Sequence, residues 1–112
     1  MLVESWQAYL RAEGWFSKKM HGSQFQAGFP DLYATHKNYR VRLIEIKLPT
    51  RGFDPYTPAQ LEVFQMLCAH GSPVWTLTGV WSPERKQFIA SLLEYEKLFG
   101  PQNWYRYLGV MK

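Results

Sequence analysis

A single cysteine, Cys68, in 112 residues excludes an intramolecular disulfide and any cysteine-rich zinc site, and it suits a reducing cytoplasm. No apolar run reaches the roughly 18 to 20 residues of a membrane span. Glu4 stands early, with no basic segment leading into an apolar one, so neither export nor membrane insertion is expected. Internal repeats, low-complexity tracts and dividing linkers are also missing, so one domain over residues 1–112 is expected.

Apolar residues are plentiful at 46%, and the 17% that are aromatic run from Trp6 to Tyr107, a globular rather than disordered composition. Lysine and arginine outnumber aspartate and glutamate by 13 to 9, a net charge of +4. A basic balance favours a polyanionic partner such as nucleic acid without requiring one.

Residues 2–13 place Leu2, Val3, Trp6, Tyr9 and Leu10 on one helical arc, stopped by Gly14. Residues 15–20 open a first strand, and the glycine-, serine- and glutamine-rich stretch 21–28 is a loop. Pro30 starts a second strand, and a turn at His36, Lys37 and Asn38 leads into a third, residues 41–48, whose apolar side chains on both faces mark an inner strand. Thr57 can cap a helix with Pro58 first and Gln60 third, striped by Leu61, Phe64, Leu67 and Cys68 and ended by Gly71. Residues 73–80 alternate as a last strand, and Ser82 and Pro83 signal a second helix running to about Phe99. This order predicts an α/β fold with helices on both sheet faces.

The hairpin carries the chemistry. With its turn centred on Asn38, Asp31 faces Glu45, and period-two alternation puts both acids, Tyr33, Leu43 and Lys47 on one face. Opposed like charges on antiparallel strands repel, so a proton or a cation must lie between them. One reading is a buried ion pair of Lys47 with Glu45 or Asp31. The other is a magnesium site, in which two carboxylates and the backbone carbonyl between Glu45 and Lys47 supply hard oxygen ligands, beside a lysine that positions or activates a nucleophile for phosphodiester hydrolysis.

Gly28-Phe29-Pro30-Asp31-Leu32, then Ile44-Glu45-Ile46-Lys47, Gln60 early in the next helix and Gly71 before a valine-bearing strand resemble the PD-(D/E)xK nuclease superfamily. Within it, GFPDL, IEIKLP, TPAQ and CAHGSPVW look most like the small stand-alone VRR-NUC nucleases of phages and bacteria, which are similar to archaeal Holliday junction resolvases. The likeness covers residues 2–80. It implies a restriction-endonuclease-like αβββαβ core with a mixed four-stranded sheet, to which the chain would add a C-terminal helix. It further implies a Mg²⁺- or Mn²⁺-dependent DNA endonuclease acting through metal-activated water, with branched or flapped DNA as substrate and host cytoplasm as location if phage-encoded.

By that resemblance Asp31, Glu45 and the Ile46 carbonyl are metal ligands, Lys47 is the catalytic lysine and Gln60 orients the site. A glutamate from the first helix completes such sites; Glu4 suits by distance from the Gly14 turn, whereas Glu13 suits the helical wheel. Gln60 also fits a capping box with Thr57, Cys68 fits the core, and His70 suits a helix C-terminus. Lys18, Lys19, His21 and Arg51, with Lys37, Arg40 and Arg42, form a candidate basic rim for phosphates. Resolvase-like relatives pair, which suggests a homodimer built on the aromatic tail Trp104 to Met111. The competing readings are a non-catalytic nucleic-acid-binding module on the same scaffold and an interaction protein in which the acids and lysine form a salt bridge.

Overall fold

The computed structural model describes residues 1–20, 27–49 and 55–108, so His21 and Arg51 of the expected basic rim lie outside the described residues. Helix α1 (Leu2–Ala12) buries Leu2, Trp6 and Leu10, and the chain leaves it through Gly14 at φ +90°. Strands β1 (Phe16–Lys19), β2 (Leu32–His36) and β3 (Arg40–Ile46) follow as an antiparallel meander. Helix α2 (Pro58–Ala69) then crosses over to β4 (Val74–Leu77), which pairs in parallel with β3. The sheet order β1-β2-β3-β4 is that of a mixed four-stranded sheet on a restriction-endonuclease-like core, as the sequence leads one to expect.

The hairpin register agrees with the sequence reading: Leu32 faces Ile44, Tyr33 faces Leu43 and His36 faces Arg40, around a turn centred on Asn38. Its faces then sort by parity. Leu32, Ala34, Ile44 and Ile46 join Trp6, Leu10 and Leu77 beneath α1. Leu43 packs with Tyr56, Phe64, Val74 and Trp104 on the α2 side. Helices therefore cover both faces, and β3 is an inner strand with Ile44, Glu45 and Ile46 all buried.

The second half departs from expectation in three ways. Strand β4 does not alternate, because all four of its residues are buried between the two helical layers. Nor does Ser82-Pro83 start a helix to Phe99. The chain forms a separate two-stranded ribbon, β5 (Val80–Ser82) and β6 (Gln87–Ile89), before a short helix α3 (Leu92–Tyr95). Serine followed by proline also suits a tight turn, and here the Ser82 carbonyl accepts from Lys86 N–H at 2.7 Å, with Lys86 at φ +54°. Ser91, in extended conformation, is the residue that caps α3, its hydroxyl accepting from Glu94 N–H.

The tail is the third departure. Trp104 is not offered to a partner but buried, edge-to-face with Phe64 and Tyr56. Tyr105 and Leu108 remain exposed, and residues 109–112 lie outside the described residues. Among the described residues no helix is long and apolar enough to cross a membrane.

Candidate nuclease site

Asp31 and Glu45 meet at the open end of the hairpin. Asp31 follows Pro30 just before β2, and its Oδ2 accepts from the Ile46 N–H at 2.8 Å, which ties the loop to the inner strand. Glu45 is 2% exposed. One of its oxygens, Oε2, is well served: Gln60 Nε2 donates to it at 2.7 Å and Lys47 Nζ lies 3.1 Å away. The other, Oε1, is buried and has no hydrogen-bond partner among the described residues. Leaving a buried acceptor unmet costs about 1–3 kcal/mol. Burial, and then the nearby Asp31 charge, push the Glu45 carboxyl up to about 7, against the pull of Lys47 and Gln60.

Gln60 caps α2 and also contacts Glu45 and Lys47. Its Oε1 accepts from Thr57 N–H at 3.0 Å, and the Thr57 hydroxyl accepts from Gln60 N–H at 3.1 Å, a complete capping box. The same Oε1 also accepts from Lys47 Nζ at 2.9 Å. Lys47 is thereby held between Glu45 and Gln60, with its ammonium 5.7 Å from the centre of the Tyr56 ring. Tyr56 was missed by sequence reasoning. It is buried, donates to the Trp104 carbonyl at 2.6 Å and accepts from the Thr76 hydroxyl at 2.8 Å. Nothing in its sequence neighbourhood, between Pro55 and Thr57, announces a role set by the distant Trp104.

Asp31, Ile46 and Lys47 line an open cleft of about 860 Å³, and Glu4 and Lys19 line it too. Glu4 projects from α1 and pairs with Lys19, which holds its carboxyl below the usual range. Glu13 is not among the cleft residues; it caps the far end of α1. The structure thus brings Glu4, not Glu13, into the cleft.

The basic set divides. Lys18 stands opposite Tyr33, on the face of Asp31, Glu45 and Lys47, whereas Lys19 stands opposite Leu32 on the α1 face. Arg42 is no rim residue. It donates to the carbonyls of Leu98 and Tyr39 at 2.8 Å and stacks 4.7 Å from the Trp75 ring centre, so it braces the C-terminal segment against the sheet. Cys68 is a packing residue as expected, donating to Gln102 Oε1 and accepting from Trp104 Nε1–H.

A divalent cation fits the donor set in one respect that this structure supplies: a buried, orphaned carboxylate oxygen beside a second carboxylate. Among the described residues no group of three histidine, cysteine, aspartate or glutamate side chains is placed to hold a metal. Any such ion would lean on backbone oxygen and water as well as on Asp31 and Glu45.

A mixed sheet whose inner strand carries Glu45 and leads directly into Lys47, with Asp31 just ahead of the strand paired to it, matches the pattern of the PD-(D/E)xK nuclease superfamily. The chain belongs to the VRR-NUC domain family, whose model matches residues 5–81, more than half of its length. No curated protein and no solved structure matches it. Membership makes the chain a nuclease-like, DNA-binding module, from a domain family that typically uses divalent metals.

Proposed function

We propose that the chain is a single-domain, Mg²⁺- or Mn²⁺-dependent endodeoxyribonuclease that hydrolyses phosphodiester bonds, with branched or flapped DNA as its preferred substrate. The observation that carries the reading is the orphaned Glu45 Oε1, buried beside Asp31. A structural ion pair would need only the Oε2 side of that carboxylate, where Lys47 already sits.

Asp31, Glu45 and the Ile46 carbonyl would hold the ion, with Glu4 reaching it from α1 across the cleft. A divalent ion bound there lowers the pKa of its water and stabilises charge building on a phosphate. The chain's own residues supply the rest. Lys47, fixed by Gln60 and Glu45, presents an ammonium to the attacking oxygen or to a non-bridging phosphate oxygen. Gln60 acts through its neighbours, holding Glu45 and Lys47 in register and tying both to the start of α2. The buried Tyr56 network keeps an aromatic wall against Lys47.

The test is cleavage of supercoiled, linear, flapped and four-way DNA with Mg²⁺, with Mn²⁺ and with chelator. Wild type is expected to cut only with metal, and Lys47→Ala to lose at least about 100-fold in rate, the scale of a lost electrostatic or proton-transfer contribution. Asp31→Ala should also abolish Mn²⁺ binding measured by calorimetry. Folded wild-type protein that leaves every substrate intact in both metals would falsify the catalytic claim. A non-catalytic binding module would instead retain DNA affinity without cutting.

A further inference from the structure

We propose that the β5–β6 ribbon is a second nucleic-acid contact, in which Trp81 stacks on an unpaired base while Arg85 and Lys86 meet the flanking phosphates. The inference rests on the DNA-binding reading of the cleft but not on cleavage.

A two-stranded ribbon alone is marginal in water, so what anchors this one matters. Its root is clamped to α1 and α3. Ala90 N–H donates to Ser5 Oγ at 3.0 Å, Trp6 Nε1–H to the Thr78 carbonyl at 2.8 Å, and Thr78 N–H to Glu94 Oε1 at 3.0 Å. Gly79 allows the close approach, since a Cβ there would sit 2.7 Å from Leu2 Cδ1 and 2.8 Å from the Ile89 carbonyl oxygen. Phe88 packs against the α1-side core.

On this fixed base Trp81 is left 53% exposed. A single exposed apolar residue means little; its position gives this one meaning. Trp81 pairs directly with Phe88 across the ribbon, so the two rings share a face, edge to face with centroids 5.3 Å apart. Phe88 and Gln87 are themselves walls of the cleft that holds Asp31 and Lys47. The indole therefore extends that wall outward into solvent.

The tip carries Arg85 and Lys86, both exposed, against one acid, Glu84. Arg85 N–H donates to Ser82 Oγ and Lys86 N–H to the Ser82 carbonyl, so the backbone beneath both cations is fixed. An aromatic platform beside cations on a rigid arm is the chemistry that holds single-stranded nucleic acid, because every base offers a π-face once it is unstacked. Within a paired duplex those faces are covered, so the ribbon favours DNA with an unpaired nucleotide close to the cleft.

The experiment measures binding of the full chain by fluorescence anisotropy in chelator, where no turnover occurs, to a blunt duplex and to the same duplex with a single-stranded flap. Wild type is expected to bind the flapped DNA more tightly. Trp81→Ala should weaken flapped binding by roughly tenfold while changing duplex binding little, and Trp81→Phe should restore most of the loss. Arg85→Ala with Lys86→Ala should weaken both DNAs and lower the slope of log affinity against log salt by about 2. No flap preference in wild type, or an unchanged preference in Trp81→Ala, overturns the proposal. So does loss of self-association in Trp81→Ala with DNA preference intact, which would give the face to a second copy. If the protein cuts nothing yet Trp81→Ala loses flap preference, the nuclease reading fails and this one stands.

Discussion

Glu45 is where folding and function pull in opposite directions. Its carboxyl titrates at about 7 in the folded chain against 4.5 for an ordinary glutamate, so the folded state holds the proton more tightly. The stabilisation this gives is complete below pH 4.5 and is lost as pH rises through about 7. The shift corresponds to roughly 3 kcal/mol between those limits. Urea denaturation of the metal-free protein should therefore show less stability at pH 8 than at pH 5, and Glu45→Gln should flatten that difference. Adding Mn²⁺ at pH 8 should restore what was lost, by about 2.7 kcal/mol at a hundred times the dissociation constant. A pH 8 midpoint that does not respond to Mn²⁺ would leave Glu45 as one half of a structural ion pair.

At the scale of elements, the acids depend on a loop that one glycine admits. Gly28 sits at φ +85°, and a Cβ there would lie 2.5 Å from the Ala59 carbonyl oxygen and 2.9 Å from Val63 Cγ2. The segment leading to Asp31 thus lies directly against the first turns of α2, which carry Gln60. Gly28→Ala should cost more than the roughly 1 kcal/mol of its backbone conformation alone, because the helix must also retreat. It should lower the thermal midpoint and weaken Mn²⁺ binding together. Thr57→Ala, which removes only the cap, should cost about 1 kcal/mol and disturb metal binding less.

These elements also show what sequence could and could not reveal. The hairpin was legible because its signals are local: period two, a turn at Asn38, and apolar residues around Glu45. The α2 cap was legible for the same reason, since Thr57, Pro58 and Gln60 satisfy one another. Ser82-Pro83 misleads because helix start and tight turn share that signal, and only the docking of Phe88 and Gly79 on α1 chooses between them. That Glu4 rather than Glu13 lines the cleft is likewise a tertiary matter: Lys19, with which Glu4 pairs, lies on β1. Arg42 looked like a surface cation because nothing near it in sequence reveals the Leu98 carbonyl it serves.

Across the whole molecule, the +4 charge cannot be read as a uniform attraction for phosphate, because its carriers do different work. Lys18 is exposed on the face of the acids, whereas Arg42 is committed to backbone carbonyls and the Trp75 ring. Counterion release makes the distinction measurable, since each phosphate neutralised adds about 0.9 to the slope of log affinity against log salt. Lys18→Ala should reduce that slope by about one and leave stability nearly unchanged. Arg42→Ala should leave the slope alone and cost about 1–3 kcal/mol of folding free energy, through its charged hydrogen bonds and the lost stack on Trp75. Titrating duplex DNA from 50 to 200 mM salt, alongside urea denaturation of the same variants, reads both quantities. Should Arg42→Ala change the slope and Lys18→Ala not, DNA would lie at the turn end of the hairpin near Leu98 rather than over the acids, and the cleft would lose its claim to the scissile phosphate.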